Sequence, residues 1–160
     1  MTEQFYKTAK GHEEPYAVQF SVFLANRVGQ LKELAELFAN KAVQIAGLSI
    51  VDSTDWAVVR LVATDTDQAR HVLSAHSLPF TESHVLLVEV SDEASLSKLC
   101  THLLAAEISV HFAYPLTVRS HENPVMVFHV DDHILATQIL RNHNFTLLGH
   151  EDLEAEEEGG

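Results

Sequence analysis

The sequence predicts an α+β fold that consists of two copies of one βαββαβ unit. The main observation is a pair of amphipathic stripes with i, i+3, i+4, i+7 spacing, which is one face of an α-helix. Each stripe follows an apolar strand pattern and precedes a hairpin, a second helix and a further strand, and such self-similarity marks repeated units. The composition, with 46% hydrophobic and 21% charged residues, is typical of globular chains. The two stripes consist of Leu31, Leu34, Ala35 and Phe38 and of Leu96, Leu99, Cys100 and Leu103.

The first copy begins after residues 1–15, a polar segment without period that we interpret as a flexible N-terminal arm. Residues 16–24 alternate between apolar and polar side chains, which is typical of a half-buried strand. After the first helix, residues 45–52 and 56–63 predict a hairpin, whose second strand is an apolar run interrupted by Arg60.

A second helix and a strand complete the first copy. Asp65 and Asp67 stand where this helix begins, and carboxylates there cap a helix and interact favourably with its dipole. Pro79 prevents the helix from continuing, and the chain is extended again from Phe80.

The second copy repeats this order around its own stripe. Residues 85–90 form a predicted strand, residues 108–118 and 125–130 a hairpin, and residues 145–148 the last strand. Asp131-Asp132 begins the second helix of this copy, as Asp65 does in the first.

These patterns divide the chain into four segments. Residues 1–15 are the arm, 16–84 the first unit, 85–153 the second unit and 154–160 an acidic, disordered tail. Units of this size are marginal alone, and no linker separates them, so we expect them to share a core. The predicted arrangement is a pseudo-dimer with an antiparallel sheet and helices on one of its faces.

The charge and the apolar runs exclude several classes of partner. Ten Lys+Arg against 23 Asp+Glu give a net charge of −13, which repels phosphate backbones and anionic lipid. No apolar run approaches the roughly 18 residues of a membrane span, and the start of the chain lacks the basic residues of a secretory signal. We therefore expect a cytoplasmic protein that contacts neither nucleic acid nor membrane.

The single cysteine, Cys100, excludes an intrachain disulfide framework and a Cys-rich zinc cluster. Because it lies on the second amphipathic stripe, we predict that it is buried.

Two loop-and-strand patterns resemble the ACT domain, whose usual opening is a strand followed by Asn/Asp-Arg/Lys-Pro-Gly and Leu. The first is Val22-Phe-Leu-Ala-Asn26-Arg-Val-Gly29-Gln-Leu31, which a helix and the strand at 43–52 follow. The second, Val88-Glu-Val-Ser-Asp92-Glu-Ala-Ser-Leu96 with the strand at 108–114, is similar to the same pattern more loosely. The resemblance covers residues 16 to about 153, as in small stand-alone bacterial proteins of two ACT units.

The resemblance implies two ferredoxin-like units and regulatory binding of a small ligand, most often an amino acid, at the interface between ACT units. A glycine that opens a helix lets backbone N–H groups approach a carboxylate, so Gly29 is the leading contact. Asn26 supplies a side-chain amide, and Asp52 on the facing strand can meet an α-ammonium group. The ligand-binding candidates are Asn26, Val28, Gly29, Gln30, Leu31, Ser49, Ile50, Val51, Asp52 and Tyr114.

This chain departs from the ACT pattern at two places. Val28 stands where the family has proline, which loosens the start of the helix but leaves the glycine. In the second copy Asp92-Glu-Ala-Ser95 has no glycine, and its carboxylates repel a ligand carboxylate. We therefore predict one competent loop per chain and a degenerate second site.

No catalytic, cofactor or metal signature stands out among the remaining residues. Eleven histidines are present, but no His/Cys spacing meets a zinc template, and a strand-to-helix change separates His129 from His133. Nucleotide loops and a nucleophile elbow are missing, so we predict neither a cofactor nor an enzyme. The expected partners are a small carboxylate ligand, a second copy of the chain and a partner enzyme.

Two alternatives remain open at this point. Besides a ligand-binding regulatory protein, the chain could be a structural interaction subunit whose ligand loops have decayed, or a ferredoxin-like enzyme with a histidine or carboxylate centre.

Overall fold

The described part of the computed structural model comprises residues 16–25, 29–52, 54–117 and 123–153. The predicted arm, the predicted tail, Asn26 and Val28 lie outside it. The first unit contains β1 (Ala17–Ala25), α1 (Gln30–Asn40), β2 (Ile45–Asp52), β3 (Trp56–Ala63), α2 (Thr66–Ala75) and β4 (Phe80–Glu89). The second unit continues with α3 (Glu93–Ala105), β5 (Val110–Pro115), β6 (Val125–Val130), α4 (His133–Asn142), β7 (Leu147–Leu148) and α5 (His150–Leu153).

One antiparallel sheet runs through both units in the order β2-β3-β1-β4-β6-β5, and β7 also pairs with β4. The long strand β4 belongs to both halves, because its first part pairs with β1 and its last part with β6 and β7. Each unit therefore has the strand order of a ferredoxin-like fold. The fold class predicted from the sequence is confirmed.

The shared strand β4 replaces two strands that the sequence predicts. The sequence predicts one strand from Phe80 and another from Val85, but the backbone is continuous from Phe80 to Glu89. The predicted boundary between residues 84 and 85 lies inside this strand.

Each unit packs two helices against the sheet around its own core. In the first unit α1 buries Leu34 and Phe38 against Phe20 of β1. In the second unit α3 buries Leu99 and Leu103 in the same way.

The buried stripes are narrower than the sequence pattern indicates. Cys100 is exposed, so the prediction that it is buried was wrong. Ala35, which occupies the same stripe position in the first unit, is exposed as well. Burial along α1 and α3 follows an i, i+4 spacing, since only one edge of each stripe reaches the sheet.

A third core lies between the units, on the sheet face away from the helices. Val62 of β3 meets Tyr114 and Val127 of the second unit there. The hydroxyl of Tyr114 donates to Oε1 of Gln19, 2.6 Å away, which satisfies two polar groups inside this core.

The sheet curls until its outer strands β2 and β5 meet. The backbone N–H of Thr117 donates to the carbonyl of Ala46 at 2.7 Å, and Gly47 bridges to Leu116. A Cβ on Gly47 would lie 2.8 Å from Cδ2 of Leu116, so a larger residue here would force the Leu116 side chain to shift.

Carboxylates cap three of the four long helices. Asp65 accepts a hydrogen bond from the N–H of Gln68 at 3.1 Å, and Asp132 accepts one from Leu135 at 3.0 Å. The capping role predicted for these aspartates is confirmed. Asp92 caps α3 in the same way, and α1 is the exception.

Candidate functional site

No side chain of the described residues caps the N-terminal end of α1. Gly29 precedes the helix with a φ of 93°, a left-handed conformation that glycine adopts without steric cost. The carbonyl of Gly29 accepts the N–H of Glu33 at 3.0 Å, which begins the helical ladder. A Cβ built on Gly29 would meet no heavy atom of the described residues within 4 Å, apart from its chain neighbours and the helix backbone, so on this side the backbone borders open space.

A cavity of about 220 Å³ lies beside this helix end. It is smaller than the roughly 300–1,000 Å³ of typical ligand pockets, so it suits a compact ligand. Gln30, one of the predicted site residues, supplies part of its polar wall together with Glu33 and His76. The described residues that line it are Leu24, Gln30, Glu33, Leu34, Leu37, His76 and Leu78.

The predicted β2 residues divide between two places. Asp52 pairs with Ala57, and Ala25 pairs with Trp56, so Asp52 lies at the same end of the sheet as the loop that leads to Gly29. Ser49 lies farther along β2, directly opposite Arg60.

Several predicted contacts are exposed apolar side chains. Leu31, on α1, is 40% exposed, and Ile50 and Val51, near the tip of the β2–β3 hairpin, are 48% and 41% exposed. Trp56, at the start of β3, is 53% exposed. The end of the β2–β3 hairpin thus exposes apolar side chains on both faces of an outer strand of the sheet.

Tyr114 lies in the core between the units, away from Gly29. Burial raises the pKa of its hydroxyl, which donates to Gln19. Gln19 is near the start of β1, whereas Gly29 follows the end of that strand at Ala25. At about 3.3 Å per strand residue the two places are roughly 20 Å apart.

The second unit has a different arrangement at the corresponding helix end. Oδ1 of Asp92 accepts the N–H of Ser95 at 2.8 Å, so a side chain of the chain itself occupies the place that Gly29 leaves open in the first unit. An open depression of about 400 Å³ lies beside α3, and its wall carries hydroxyl, amide and charged groups. The lining is Glu89, Ser91, Ala94, Ser95, Lys98, Asn123, His143, Asn144, Phe145 and Thr146. The prediction of a degenerate second site stays a prediction.

A cationic and aromatic cluster at the interface between the units was missed from the sequence. The guanidinium carbon of Arg60 lies 3.8 Å from the ring centroid of Phe112, across the interface. The ring of Phe112 stacks on His129 at 4.8 Å and an interplanar angle of 13°. The one available sequence signal was that Arg60 interrupts an otherwise apolar strand.

Other classes of site find no support in the described segments. No group of three or more His, Cys, Asp or Glu side chains in them is arranged to hold a metal ion. None of the helices described is long and apolar enough to cross a membrane.

The duplicated βαββαβ order and the shared strand place the chain among proteins built from paired ferredoxin-like units. The family model described as "ACT domain pair" matches residues 16–156. The chain belongs to this family, and the resemblance drawn from the loop patterns is confirmed.

Solved structures show the same fold at low sequence identity. Protein BT0572 from Bacteroides thetaiotaomicron is 22% identical with a TM-score of 0.79, over 88% of this chain and 97% of that one. The ligand-free regulatory subunit of aspartate kinase from Thermus thermophilus is 8% identical with a TM-score of 0.54, over 79% and 92% of the two chains. No curated protein sequence matches the chain.

Proposed function

We propose that this protein binds a small carboxylate, most simply an amino acid, at the open start of α1 in its first ACT unit, and passes the binding signal to a partner enzyme or through its own assembly. The observation that carries the proposal is the uncapped end of α1, where Gly29 exposes backbone to open space.

The physical basis is the set of N–H groups at the start of α1. The first four N–H groups of a helix have no partner within the helix, and the helix dipole favours negative charge at that end. At α2, α3 and α4 an aspartate accepts one of these N–H groups, but none of the described side chains does so at α1. A ligand carboxylate fits the vacant place, and Gln30 and Asp52 lie near enough to the same sheet end to contact its polar groups.

The amino-acid ligand is also in keeping with the family. The regulatory subunit of aspartate kinase from Thermus thermophilus shares this fold. We extend the regulatory role to this chain as part of the proposal, and we assign it no catalytic step.

Assembly into a homodimer is part of the same proposal. Outer strand β2 carries backbone groups that can pair with another chain, and an exposed hydrophobic edge favours such pairing. Ile50, Val51 and Trp56 provide apolar surface beside that edge.

The same apolar surface favours the second candidate function, a structural interaction subunit without a ligand. In that case the chain associates with its partner through the hairpin tip and the end of α1 stays empty.

A thermal-shift screen of the full chain with the twenty amino acids separates the two functions. A ligand at 100 times its dissociation constant stabilises a protein by about 2.7 kcal/mol, which raises the melting temperature measurably. Stabilisation by a specific amino acid supports the ligand-binding role. If no amino acid stabilises the chain, the structural subunit is the better description.

The variant Gly29→Val then tests the location. Valine blocks the approach to the backbone and costs about 1–2 kcal/mol in the left-handed conformation, so binding should be lost while the fold remains. Glu107→Val is the control, because Glu107 also has a positive φ, of 58°, but lies in the second unit after α3. Retention of binding by Gly29→Val would remove the end of α1 from the site.

A further inference from the structure

Arg60 lies on the sheet face that the two units share. It is paired with Ser21 of β1 and with Ser49 of β2, and directly paired residues project to the same face of a sheet. Val62, two residues along β3, is buried in the core between the units, so Arg60 also faces the second unit. The 3.8 Å contact with the Phe112 ring agrees with this direction.

The guanidinium of Arg60 has no acidic partner among the described residues. Apart from the contact with Phe112, no hydrogen bond or ion pair engages the Arg60 side chain anywhere in the part of the chain that the structure describes. Arg70 shows the contrast, because two of its nitrogens donate to Glu82 at 2.9 and 2.7 Å and a third donates to Asp67 at 2.9 Å. The half-buried Arg60 guanidinium presents five N–H donors, which remain available to water or to an added acceptor.

The cluster around Arg60 continues with two histidine rings. The His129 ring stacks on the same Phe112 ring, and the His111 ring lies 5.2 Å from His129. Among the described residues, Nδ1 of His129 is buried without a hydrogen-bond partner. Burial, together with His111, Arg60 and His133, lowers the pKa of His129. In a chain of net charge −13, Arg60 therefore places a positive charge beside aromatic and imidazole rings at this interface.

We propose that Arg60 binds the carboxylate of a small ligand at the interface between the two units, with the hydroxyls of Ser21 and Ser49 beside it and Phe112 as the platform that orients the guanidinium. A planar guanidinium matches a carboxylate with two parallel hydrogen bonds, which makes arginine the preferred receptor for this group. The inference rests on the proposed ligand-binding role and adds a second binding site, separate from the one at Gly29.

Side-chain NMR of the ¹⁵N-labelled full chain tests the proposal directly. The chain has five arginines, so the Nε–Hε signal of Arg60 can be assigned from the Arg60→Gln spectrum. The probes are acetate, succinate, L-glutamate and inorganic phosphate, titrated at constant ionic strength. We expect a saturable shift of the Arg60 signal with at least one carboxylate, and a rise in the pKa of His129 when that carboxylate is bound.

Variants distinguish a site from general charge attraction. Arg60→Gln should weaken carboxylate binding about tenfold to a hundredfold, the range for hydrogen bonds to a charged group. Arg60→Lys should restore only part of the affinity, because lysine keeps the charge but loses the planar fork. Arg70→Gln removes one positive charge from the same unit and should leave binding unchanged.

Three outcomes would overturn the proposal. They are an Arg60 signal that no carboxylate moves, unchanged affinity in Arg60→Gln, and an equal loss of affinity in Arg70→Gln. A shift with phosphate alone also counts against it. If amino acids stabilise the chain through Gly29 while Arg60→Gln binds them normally, the proposed function stands and this inference fails. If carboxylates bind at Arg60 while the amino-acid screen shows nothing, the amino-acid ligand fails and the Arg60 site stands.

Discussion

The ends of α1 and α3 occupy the same place in the two units, but they satisfy their backbone N–H groups differently. At α3 the carboxylate of Asp92 accepts the N–H of Ser95. At α1 Gly29 offers no side chain, and none of the described residues fills the space beside it. The comparison shows that the same ferredoxin-like framework can begin equivalent helices in two ways. One residue at the start of the helix decides whether a carboxylate of the chain itself accepts a backbone N–H there.

The spaces beside the two helices also differ, in both size and polarity. The smaller cavity beside α1 is walled mainly by leucines, and the larger depression beside α3 is polar. Leu37 of the first unit stands where His102 stands in the second, and His76 corresponds to His143. The duplicated positions therefore keep their location while their chemistry has diverged.

The largest effect should come from the core positions that the two units share. Leu34→Ala and Leu99→Ala each remove a fully packed leucine, and we expect each to lower the free energy of unfolding by about 2–5 kcal/mol. Because β4 and the core between the units join the halves, either substitution should shift one common transition.

Urea unfolding followed by two probes checks this. The fluorescence of Trp56, the one tryptophan, reports on the first unit, and far-UV circular dichroism reports on both. For Leu99→Ala the unfolding midpoints from both probes should move to lower urea concentration by the same amount. Separate midpoints would show that the units unfold independently.

Substitutions at the starts of α1 and α3 should have the next largest effect on stability, and they test the comparison between these two helix ends directly. Asp92→Ala removes the cap of α3 and should cost about 1 kcal/mol. Gly29→Ala should cost about 1–2 kcal/mol for a different reason, the strain of a side chain at positive φ. Chemical denaturation measures both, with Asp65→Ala as the control for the loss of a cap. A neutral Asp92→Ala would mean that α3 does not depend on its aspartate.

A smaller, pH-dependent effect should be confined to the second unit. The rings of His102 and His143 stack at 3.5 Å, and burial, with His143 and Lys98, lowers the pKa of His102. The folded state therefore favours the neutral ring. This contribution is fully present above the unfolded pKa of about 6.5 and is lost as the pH falls toward the lower, folded pKa.

The variant His102→Leu copies the first unit, where Leu37 holds this position. When the pH is lowered from 7.5 to 5.5, the free energy of unfolding measured with urea should fall less for this variant than for the wild type. An unchanged loss of stability would assign the acid sensitivity to other groups.

The smallest effect should come from the exposed ion pair of the first unit. The Arg70 guanidinium lowers the pKa of Glu82 mainly through their hydrogen bonds, so the pair stabilises the fold above the ordinary carboxyl pKa and less as the pH falls through the lowered value. Exposed pairs contribute about 0.2–1 kcal/mol, and Arg70→Gln should cost no more than that at pH 7. A larger loss of stability in urea unfolding would mean that the Arg70–Glu82 pair contributes more than an ordinary exposed ion pair.

Much of the fold could be predicted because its signals are local. The hairpin strands at 45–52 and 56–63 and the aspartate caps follow from spacing and residue type alone. The exposure of Cys100 could not be predicted, since it depends on how far α3 is rotated against the sheet. The short helix α5 was likewise not predicted.

The candidate site divides along the same line. Gly29 could be proposed from the sequence because a glycine before a helix is visible in its own loop. The surroundings of Arg60 could not, because its contact partner Phe112 lies far along the chain and in the other unit. Tyr114 was grouped with the loop residues, but the fold places it beside Gln19.

The spacing of apolar residues and the residue types at the helix ends, which are read directly from the sequence, determined the two units, their elements and the open start of α1. Tertiary packing decided that β4 serves both units, that the sheet curls until Gly47 meets Leu116, and that a lone guanidinium faces the second unit. The physical reason is that a strand or helix pattern describes one element at a time, whereas burial and charge pairing depend on which other elements come to lie against it.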